Sequence, residues 1–261
     1  MRVLEPDVTA VTPIDRVSFR FYAQLNDFLP AERRGRPFTR SLSRCSVKDA
    51  IESVGVPHTE VDLILVNGTA VDFGRLLRDK DAVSVYPPFR SLDLSGTTRA
   101  GAAPPEPIRF VADRHLRKLA SFLRLAGFDT LLMDEDGLLA ETAARESRVA
   151  LTRDLGLLKR KIVRHGYFVR QTDPEAQFAE VLERFDLADR TRPFTRCLCC
   201  NVPVTSIAKD ELQARVPVES RACFDDFHEC RACGRVYWRG SHYDDLRLVL
   251  DRALHRATTR G

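Results

Sequence analysis

The stretch Val149–Lys161, VALTRDLGLLKRK, decides how the middle of this chain is interpreted. A short apolar β-type run, Val149–Leu151, ends in Thr152-Arg153-Asp154, and a leucine-rich basic helix is predicted to begin at once. Asp154 is suited to cap that helix, because Asp is a favoured N-cap residue. The alternative is that the fold carries Asp154 to an edge where negative charge is needed. The choice depends on whether other acids follow the same pattern.

Two further aspartates repeat this order of strand, acid and helix. Asp113 follows the strand-like run Ile108–Ala112, and Asp136 closes the acidic turn after the run Asp129–Met133. This alternation predicts a parallel sheet with right-handed crossovers, in which such junctions meet at the carboxyl edge. Carboxylates crowded at one edge repel each other unless a cation holds them, and oxygen ligands of this kind suit Mg²⁺ or Mn²⁺. Capping and metal binding both remain open.

Basic residues are concentrated around these acids. A solvated helix face explains any single lysine here, whereas many cations beside carboxylates form the pattern that a nuclease needs: acids for metal and cations for the phosphate backbone. The net charge of the chain is only +4, so any basic surface is local. The cations in question are Arg114, Arg117, Lys118, Arg124, Arg153, Lys159, Arg160, Lys161 and Arg164.

Six of the seven cysteines are clustered late in the chain, which indicates a metal site rather than a disulfide framework. Two C-x-x-C pairs have the spacing of a zinc ribbon, and a closed four-thiolate site is structural rather than catalytic. Asn201 and Gly234 follow the pairs, where tolerance of positive φ helps the chain turn. The expected zinc ligands are Cys197, Cys200, Cys230 and Cys233. Cys199, inside the first pair, is the remaining ambiguity.

The segment Gly234–Leu246, GRVYWRGSHYDDL, follows the second pair. Tyr237 and Trp238, flanked by Arg235 and Arg239, have the composition of a surface that stacks with single-stranded RNA. The alternative is that the rings pack the interior of the ribbon, and for Trp238 this interpretation is favoured.

The first part of the chain has its own strand and helix signals. Ser46–Asp49 is a capping box that opens a helix ending before Gly55, and Asn67-Gly68 marks a tight turn. Strands are predicted at Val17–Phe21, Phe38–Leu42, Val61–Val66 and Asp81–Tyr86. This order resembles the ubiquitin-like β-grasp, and VDLILVNG…VDF…LRDKDAVSVYPPF looks like its sulfur-carrier branch. Those carriers work through a free C-terminal Gly-Gly, whereas here the chain continues after Leu94-Ser95-Gly96. A docking module, an RNA-contacting module or a folding partner is expected instead.

The Pro-rich segment 97–107, TTRAGAAPPEP, is predicted to be an interdomain linker. The expected division is a β-grasp domain at 1–96, a parallel α/β domain at 108–190, and a zinc ribbon with a C-terminal helix at 191–261. The first fifteen residues lack the apolar core of an export signal, and no stretch approaches the roughly 18 apolar residues of a membrane span. A cytoplasmic location with reduced thiols is therefore predicted.

Three segments taken together resemble a known family: FVADRHLRKLASFLRLAGFDT, LTRDLGLLKR and RCLCCN…CRACGRVYWRGSH. It is the PIN-like RNase with an appended zinc ribbon, named for the C-terminal part of the nematode protein Mut-seven, and its bacterial members often carry a β-grasp domain in front. The resemblance extends from about Val17 to Leu254. It implies an N-terminal β-grasp, a central PIN-like α/β domain with a parallel sheet, and a C-terminal zinc ribbon.

The resemblance further implies a metal-dependent ribonuclease acting on RNA. Asp113, Asp136 and Asp154 are then the catalytic acids that hold two Mg²⁺ or Mn²⁺ ions, and a water activated there attacks the phosphodiester in line. Substrate contacts are expected from Arg114, Arg117, Arg153 and Lys159. Many PIN domains have a fourth acid two residues after the T-x-D aspartate, where this chain has Gly156. The alternatives for a fourth acid are Asp134, Glu141 and Asp173.

Two other functions remain open. The protein is a non-catalytic RNA-binding adaptor if the acids are only helix caps. It is a protein-interaction scaffold if the β-grasp and the ribbon recruit protein partners and RNA has no affinity for the chain. Replacement of single acids distinguishes the adaptor from the ribonuclease, because only the ribonuclease needs the acids for cleavage. A salt-dependent affinity for RNA counts against the scaffold.

Overall fold

The computed structural model describes residues 14–89 and 96–259. The chain divides into two compact units, Met1–Ala103 and Pro104–Gly261, which are described separately. Residues 1–13, where no export signal is expected, and Leu94-Ser95 lie outside the described part of the chain. No described helix combines the length and the apolar character needed to cross a membrane.

The first unit is built on one mixed five-stranded sheet in the order β2-β1-β5-β3-β4. The strands β1 and β5 are parallel and the other neighbours are antiparallel. This arrangement confirms the predicted β-grasp and adds a short strand, β4, after the Asn67-Gly68 turn. The elements are β1 (Ile14–Phe21), β2 (Phe38–Leu42), α1 (Val47–Val54), β3 (Leu63–Val66), β4 (Thr69–Val71) and β5 (Ala82–Tyr86).

The helix α1 begins and ends where its sequence signals predict. The Ser46 hydroxyl accepts a hydrogen bond from the Asp49 amide at 3.2 Å, and Gly55 closes the helix at φ 118°. Alternation along β1 turns Phe19 and Phe21 inward, and both pack in one core with Ile51 of the helix. The capping box and the strand alternation together therefore place α1 on the buried face of the sheet.

The second unit contains a fully parallel four-stranded sheet in the order β7-β6-β8-β9. This confirms the predicted parallel α/β arrangement. Its elements are β6 (Phe110–Asp113), α2 (Arg117–Leu125), β7 (Thr130–Met133), α3 (Asp136–Arg145), β8 (Val149–Thr152), α4 (Leu155–Leu158), β9 (Gly166–Phe168) and α5 (Pro174–Arg184).

The helix predicted after Asp154 is much shorter than its leucine-rich basic pattern indicates. The helix α4 covers only Leu155–Leu158, and Lys159–Lys161 lie in the turns that follow. The physical reason is the short return to β9: Leu157, Leu158 and Val163 are all fully buried in the same cluster, so the chain must bend between them. The basic run is therefore a surface turn and not a helix face.

Two layers of helices cover the parallel sheet. One face packs against α2 and α5, and the other packs against α3 and α4. The last helix, α7 (Ser241–Thr259), also belongs to the first of these layers, because Leu250, Ala253 and Ala257 are buried in its core. The ribbon between α5 and α7 contains β10 (Thr205–Ser206), α6 (Val218–Cys223), β11 (Phe227–Glu229) and β12 (Val236–Trp238).

The ribbon strands form an antiparallel sheet in the order β10-β11-β12. The two cysteine pairs form matching turns, because the Asn201 amide bonds to the Cys197 carbonyl at 3.0 Å and the Gly234 amide to the Cys230 carbonyl at 2.8 Å. Asn201 has φ 65° and Gly234 has φ 70°. The expectation of positive φ at both positions is confirmed.

Candidate functional site

The three predicted acids follow three neighbouring strands of the parallel sheet. Asp113 is the last residue of β6, one of the two inner strands. Asp154 follows β8, the other inner strand, and Asp136 is the first residue of the helix after β7. Because all strands run the same way, these positions lie at the carboxyl edge of the sheet, where ligands of such sheets bind. Asp136 and Asp154 are exposed, whereas the Asp113 side chain is only 14% exposed.

Thr152 connects Asp113 to Asp154. Its hydroxyl lies 3.4 Å from Asp113 Oδ2, and the Asp154 amide donates to the same hydroxyl at 3.0 Å. Thr152 is fully buried at the end of β8, so its hydroxyl is held in place by the sheet. Thr152, the first residue of the T-x-D motif, therefore links the side chain of Asp113 to the backbone of Asp154.

Asp113 and Asp154 also cap short helical turns. Asp113 Oδ1 accepts from the His115 amide at 3.0 Å, and Asp154 Oδ1 accepts from the Gly156 amide at 2.7 Å. Sequence reasoning overlooked His115, whose Nδ1 lies 2.9 Å from Asp113 Oδ1 and whose side chain is 78% exposed. The D-x-H spacing at a strand end was the available signal.

The three acids are not gathered within reach of one ion. Within residues 14–89 and 96–259, the four predicted cysteines are the one group of three or more metal-ligand side chains whose ligand atoms lie within 4.8 Å of one another. The donor type at the carboxyl edge fits Mg²⁺ or Mn²⁺, but the spacing of Asp113, Asp136 and Asp154 does not form a single shared coordination sphere in this conformation. The connected part of the acidic site is Asp113–Thr152–Asp154.

The predicted substrate-contacting cations have different surroundings. Arg117 is exposed, and Arg114 is exposed beside Asp134 with its Nε 3.8 Å from the carboxylate. Arg153 uses Nη1 to bind the backbone carbonyls of Val169, Arg170 and Gln171 at 2.6 to 3.2 Å, which holds the chain after β9. Lys159 is half-buried directly after α4.

Arg124 does not belong to the basic surface on which the sequence placed it. Its side chain is buried, with Nε donating to the Thr130 carbonyl at 2.9 Å and Nη1 donating to the carbonyls of Leu198 and Cys199 at 2.9 and 2.8 Å. Burial lowers the pKa of Arg124, although the nearby thiols and Asp129 act in the opposite direction. Arg124 therefore joins α2 to the first cysteine turn.

Asn201 completes this junction between the ribbon and the sheet. Its Oδ1 accepts from the Thr130 amide at 2.9 Å, and its Nδ2 donates to Asp129 Oδ1 at 2.7 Å. Asp129 also binds the buried Arg148 at 2.6 Å. Thr130 begins β7, so the ribbon is attached at the amino edge of the sheet, opposite the acids. Sequence reasoning assigned Asn201 only a conformational role.

The four cysteine sulfurs lie within 4.8 Å of one another, a spacing compatible with one shared metal ion. Cys197 Sγ and Cys233 Sγ are 3.7 Å apart, close to the roughly 3.8 Å expected when four sulfurs surround Zn²⁺ at about 2.3 Å. Cys197 and Cys230 are buried, whereas Cys199 is exposed and lies outside the group. The group can hold a metal such as zinc, and the donor set fits that ion.

Tyr237 contacts this group from β12. Its hydroxyl lies 3.0 Å from Cys197 Sγ and accepts a hydrogen bond from the Leu198 amide at 3.2 Å. Burial disfavours ionisation of the Cys197 thiol, but the hydrogen bonds from Tyr237, Cys200 and Cys199 outweigh burial and lower its pKa from 9.0 to about 6. Cys197 thus favours the thiolate, the form that binds metal, whereas the hydrogen bond with Cys233 raises the pKa of Cys200 and burial raises that of Cys230.

These observations define a class of protein: a β-grasp unit followed by a parallel α/β unit that carries acids at its carboxyl edge and a four-cysteine ribbon at its amino edge. Residues 108–250 match the family model of the Mut7-C RNAse domain, and residues 14–93 match that of the Mut7-C ubiquitin domain. The chain belongs to the Mut7-C RNAse domain family, which confirms the resemblance found in the sequence. Membership supports a ribonuclease-type function. Neither the curated proteins nor the solved structures gave a significant match.

Proposed function

We propose that the protein is a metal-dependent ribonuclease whose reaction site is the carboxyl edge of the parallel sheet. The observation that carries the proposal is the pair Asp113 and Asp154, which occupy adjacent strand ends and are connected through Thr152. Both residues bring carboxylate oxygens to the same edge of the sheet, and the Asp154 side chain is exposed, so a large substrate such as RNA can reach it.

In this proposal the acids hold the ions and the neighbouring cations hold the strand. Mg²⁺ or Mn²⁺, when bound, supplies a Lewis acid that activates water and neutralises charge on the phosphate. Asp113 and Asp154 would provide oxygen ligands at adjacent strand ends. Asp136, which does not share one coordination sphere with both of them, would serve a second ion. Arg114, Arg117 and Lys159 contact the phosphate backbone. Arg153 acts as a positioning residue, because it anchors the backbone after β9.

The ribbon has a structural role in this proposal. Cys197, Cys200, Cys230 and Cys233 would hold zinc through four thiolates, which would leave no free position for a substrate or water. Zinc bound there stabilises the turn that presents Asn201 to β7.

A second function, an RNA-binding adaptor without cleavage, is favoured by one specific observation. Asp113 and Asp154 each accept a backbone hydrogen bond at the start of a helical turn, as ordinary caps do. The β-grasp unit is then the proposed docking surface for a protein partner. In this alternative the negative charge of the two side chains has no role in chemistry.

Replacement of Asp154 by Asn distinguishes the two functions, because Asn caps helices about as well as Asp but is a far weaker metal ligand. For the ribonuclease, Asp154→Asn and Asp113→Asn each reduce Mn²⁺-dependent cleavage of a labelled RNA by roughly 100-fold or more, the size expected when a group that stabilises transition-state charge is removed. Thermal unfolding of the variants stays close to that of the wild type.

Asp72→Asn is the matched control. Asp72 Oδ1 accepts from the Gly74 amide at 2.9 Å, in the same local pattern as Asp154, but it lies in the first unit. Its replacement leaves cleavage unchanged. If Asp154→Asn and Asp113→Asn cleave as fast as Asp72→Asn does, the acids are caps and the adaptor function replaces the ribonuclease.

A further inference from the structure

An aromatic cavity of about 830 Å³ lies in the second unit, between the ribbon and the start of α7. Cavities of roughly 300–1,000 Å³ are typical of sites for organic ligands. The ring-bearing residues around it include Phe194, Phe224, Tyr237, Trp238 and Tyr243. All five are half-buried, so each contributes apolar surface to the cavity without being enclosed in the core.

The rings are held by contacts with each other and with the ribbon. Phe194 and Tyr243 stack with their centroids 4.3 Å apart and an angle of 26° between their planes. The Tyr237 hydroxyl is tied to the first cysteine turn. A Cβ at Gly240 would meet Trp238 Nε1 at 2.8 Å, so glycine at that position leaves room for the indole. The aromatic wall is therefore preformed.

Polar and charged groups at the cavity suit a nucleotide better than an apolar peptide. Arg239 and Arg247 line it, with side chains 69% and 51% exposed. Each has an acid partner, since Arg239 Nε lies 4.0 Å from Asp226 and Arg247 Nε lies 3.0 Å from Asp251, and each remains largely exposed to solvent. The Arg239 guanidinium lies 5.8 Å from the Tyr243 ring centroid. Aromatic faces next to exposed arginines are the arrangement that binds single-stranded nucleic acid, because every base has a stacking face and every nucleotide carries a phosphate.

The cavity and the acids adjoin opposite edges of the parallel sheet. The chain entering the first cysteine turn bonds to the end of α2 through the Phe194 amide and the Leu125 carbonyl at 2.9 Å. That end of α2 and Thr130 lie at the amino edge of the sheet, whereas Asp113 and Asp154 lie at the carboxyl edge. The strands β6 and β7 each have four residues, which separates the two edges by roughly 13 Å. One nucleotide cannot occupy both places.

We propose that this cavity is an anchoring site for unpaired bases of a single-stranded RNA, several nucleotides away from the phosphate at the acidic edge. The bases stack on Trp238 and extend the existing Phe194–Tyr243 stack, and Arg239 contacts the backbone beside them. Single-stranded RNA is then the substrate class of the ribonuclease proposed above, and the role of the cavity in cleavage rests on that proposed function. Base binding at the cavity is measured separately from cleavage.

The test is the affinity of the full zinc-loaded chain for a fluorescent 12-nucleotide single-stranded RNA, measured by anisotropy without added Mg²⁺ or Mn²⁺. Tyr243→Leu keeps apolar volume but removes a stacking face, and it is expected to weaken binding roughly 5- to 150-fold. The wild type binds the single strand more tightly than a duplex of equal length. Trp238, the only tryptophan of the chain, changes its fluorescence when the strand binds.

A second pair of variants keeps the test decisive if Tyr243→Leu does not fold. Arg239→Gln removes a cavity arginine and weakens binding, whereas Arg235→Gln removes an exposed ribbon arginine that does not line the cavity and changes the affinity less. Asp72→Asn, in the first unit and outside both the cavity and the acidic edge, leaves this affinity unchanged if the proposal holds.

Equal affinities of the wild type, Tyr243→Leu and Arg239→Gln for the single strand overturn the proposal, even if Asp154→Asn abolishes cleavage. A Trp238 signal that responds to an apolar peptide and not to RNA overturns it as well, and assigns the cavity to a protein partner. Loss of cleavage in Asp154→Asn is a separate result that tests the reaction site alone.

Discussion

Arg117 and Arg124 show how residues of one type on one helix serve different purposes. Arg117 is exposed at the start of α2, whereas Arg124 is 7% exposed and donates to carbonyls of both β7 and the ribbon. A guanidinium can bind several carbonyls at once because its donors are fixed in one plane. The basic pattern in the sequence does not reveal which arginine does so.

Asp129 is a second residue whose role depends on burial. Burial acts to raise its pKa, but hydrogen bonds from Arg148 and Asn201 outweigh burial and lower the pKa below the ordinary value of 3.8. A group whose pKa is lowered by folding stabilises the folded state at higher pH. This stabilisation is complete well above pH 3.8 and is lost as the pH falls through the lowered pKa.

We therefore expect Asp129→Asn to reduce the free energy of unfolding by about 1–3 kcal/mol at neutral pH, the usual worth of hydrogen bonds to a charged group. The difference from the wild type shrinks as the pH falls below 3.8 and through the lowered pKa of Asp129, because the wild-type carboxylate becomes protonated over that range. Urea unfolding at a series of pH values measures it. Asp210→Asn, at an exposed position, is the control. A difference that stays constant with pH contradicts this account.

At the scale of elements, α7 shows how a helix from the C-terminal region completes the core of another part of the unit. Leu250 and Ala253 are buried with residues of α2 and α5, whereas Leu248 is 53% exposed. The amphipathic pattern of α7 predicts one buried face, but not which partner that face meets. The partner is the α/β core rather than the small ribbon core.

Replacement of Leu250 by Ala is expected to lower the free energy of unfolding by about 2–5 kcal/mol, since the side chain is fully buried and leaves a cavity. Leu248→Ala, on the same helix, changes it by less than about 0.5 kcal/mol because the side chain is largely in water. Chemical denaturation of the two variants compares them directly. Equal effects would mean that α7 is not packed through Leu250.

At the scale of the whole molecule, the ribbon and the parallel sheet form one compact unit, and the β-grasp forms another. The ribbon is joined to the sheet through Arg124, Asn201 and Asp129 rather than by a flexible connection. Loss of a metal from the ribbon is therefore expected to destabilise the amino edge of the sheet as well as the ribbon.

Removal of zinc by a strong chelator is expected to increase amide hydrogen exchange in the ribbon and around Thr130, while the β-grasp sheet keeps its protection. The reason is that metal removal breaks the four metal–sulfur bonds that hold the two cysteine turns together, so the turn that carries Asn201 loses its support. Mass spectrometry of the full chain measures this, with Cys200→Ser as a second route to metal loss and Cys223→Ser, at an exposed cysteine outside the group, as the control. Unchanged amide hydrogen exchange near Thr130 would show that the amino edge of the sheet does not depend on the metal in the ribbon.

The sequence by itself determined the two kinds of sheet, the helix caps, the order of the acids along the strands and the C-x-x-C turns. These features depend on alternation, spacing and single-residue conformational preferences, which are local. Asp154 and Ser46 are examples, because each caps a helix through an amide two or three residues away.

Only the tertiary structure decided the distances between such features. In the folded chain, Thr152 connects Asp113 to Asp154, but the three acids do not lie around one ion. The helix α4 ends after four residues. Arg124 is buried at the junction with the ribbon and is not part of the basic surface. The physical reason is that these outcomes depend on packing between residues far apart in the chain, where burial and hydrogen-bond partners, and not local pattern, set the role of a side chain.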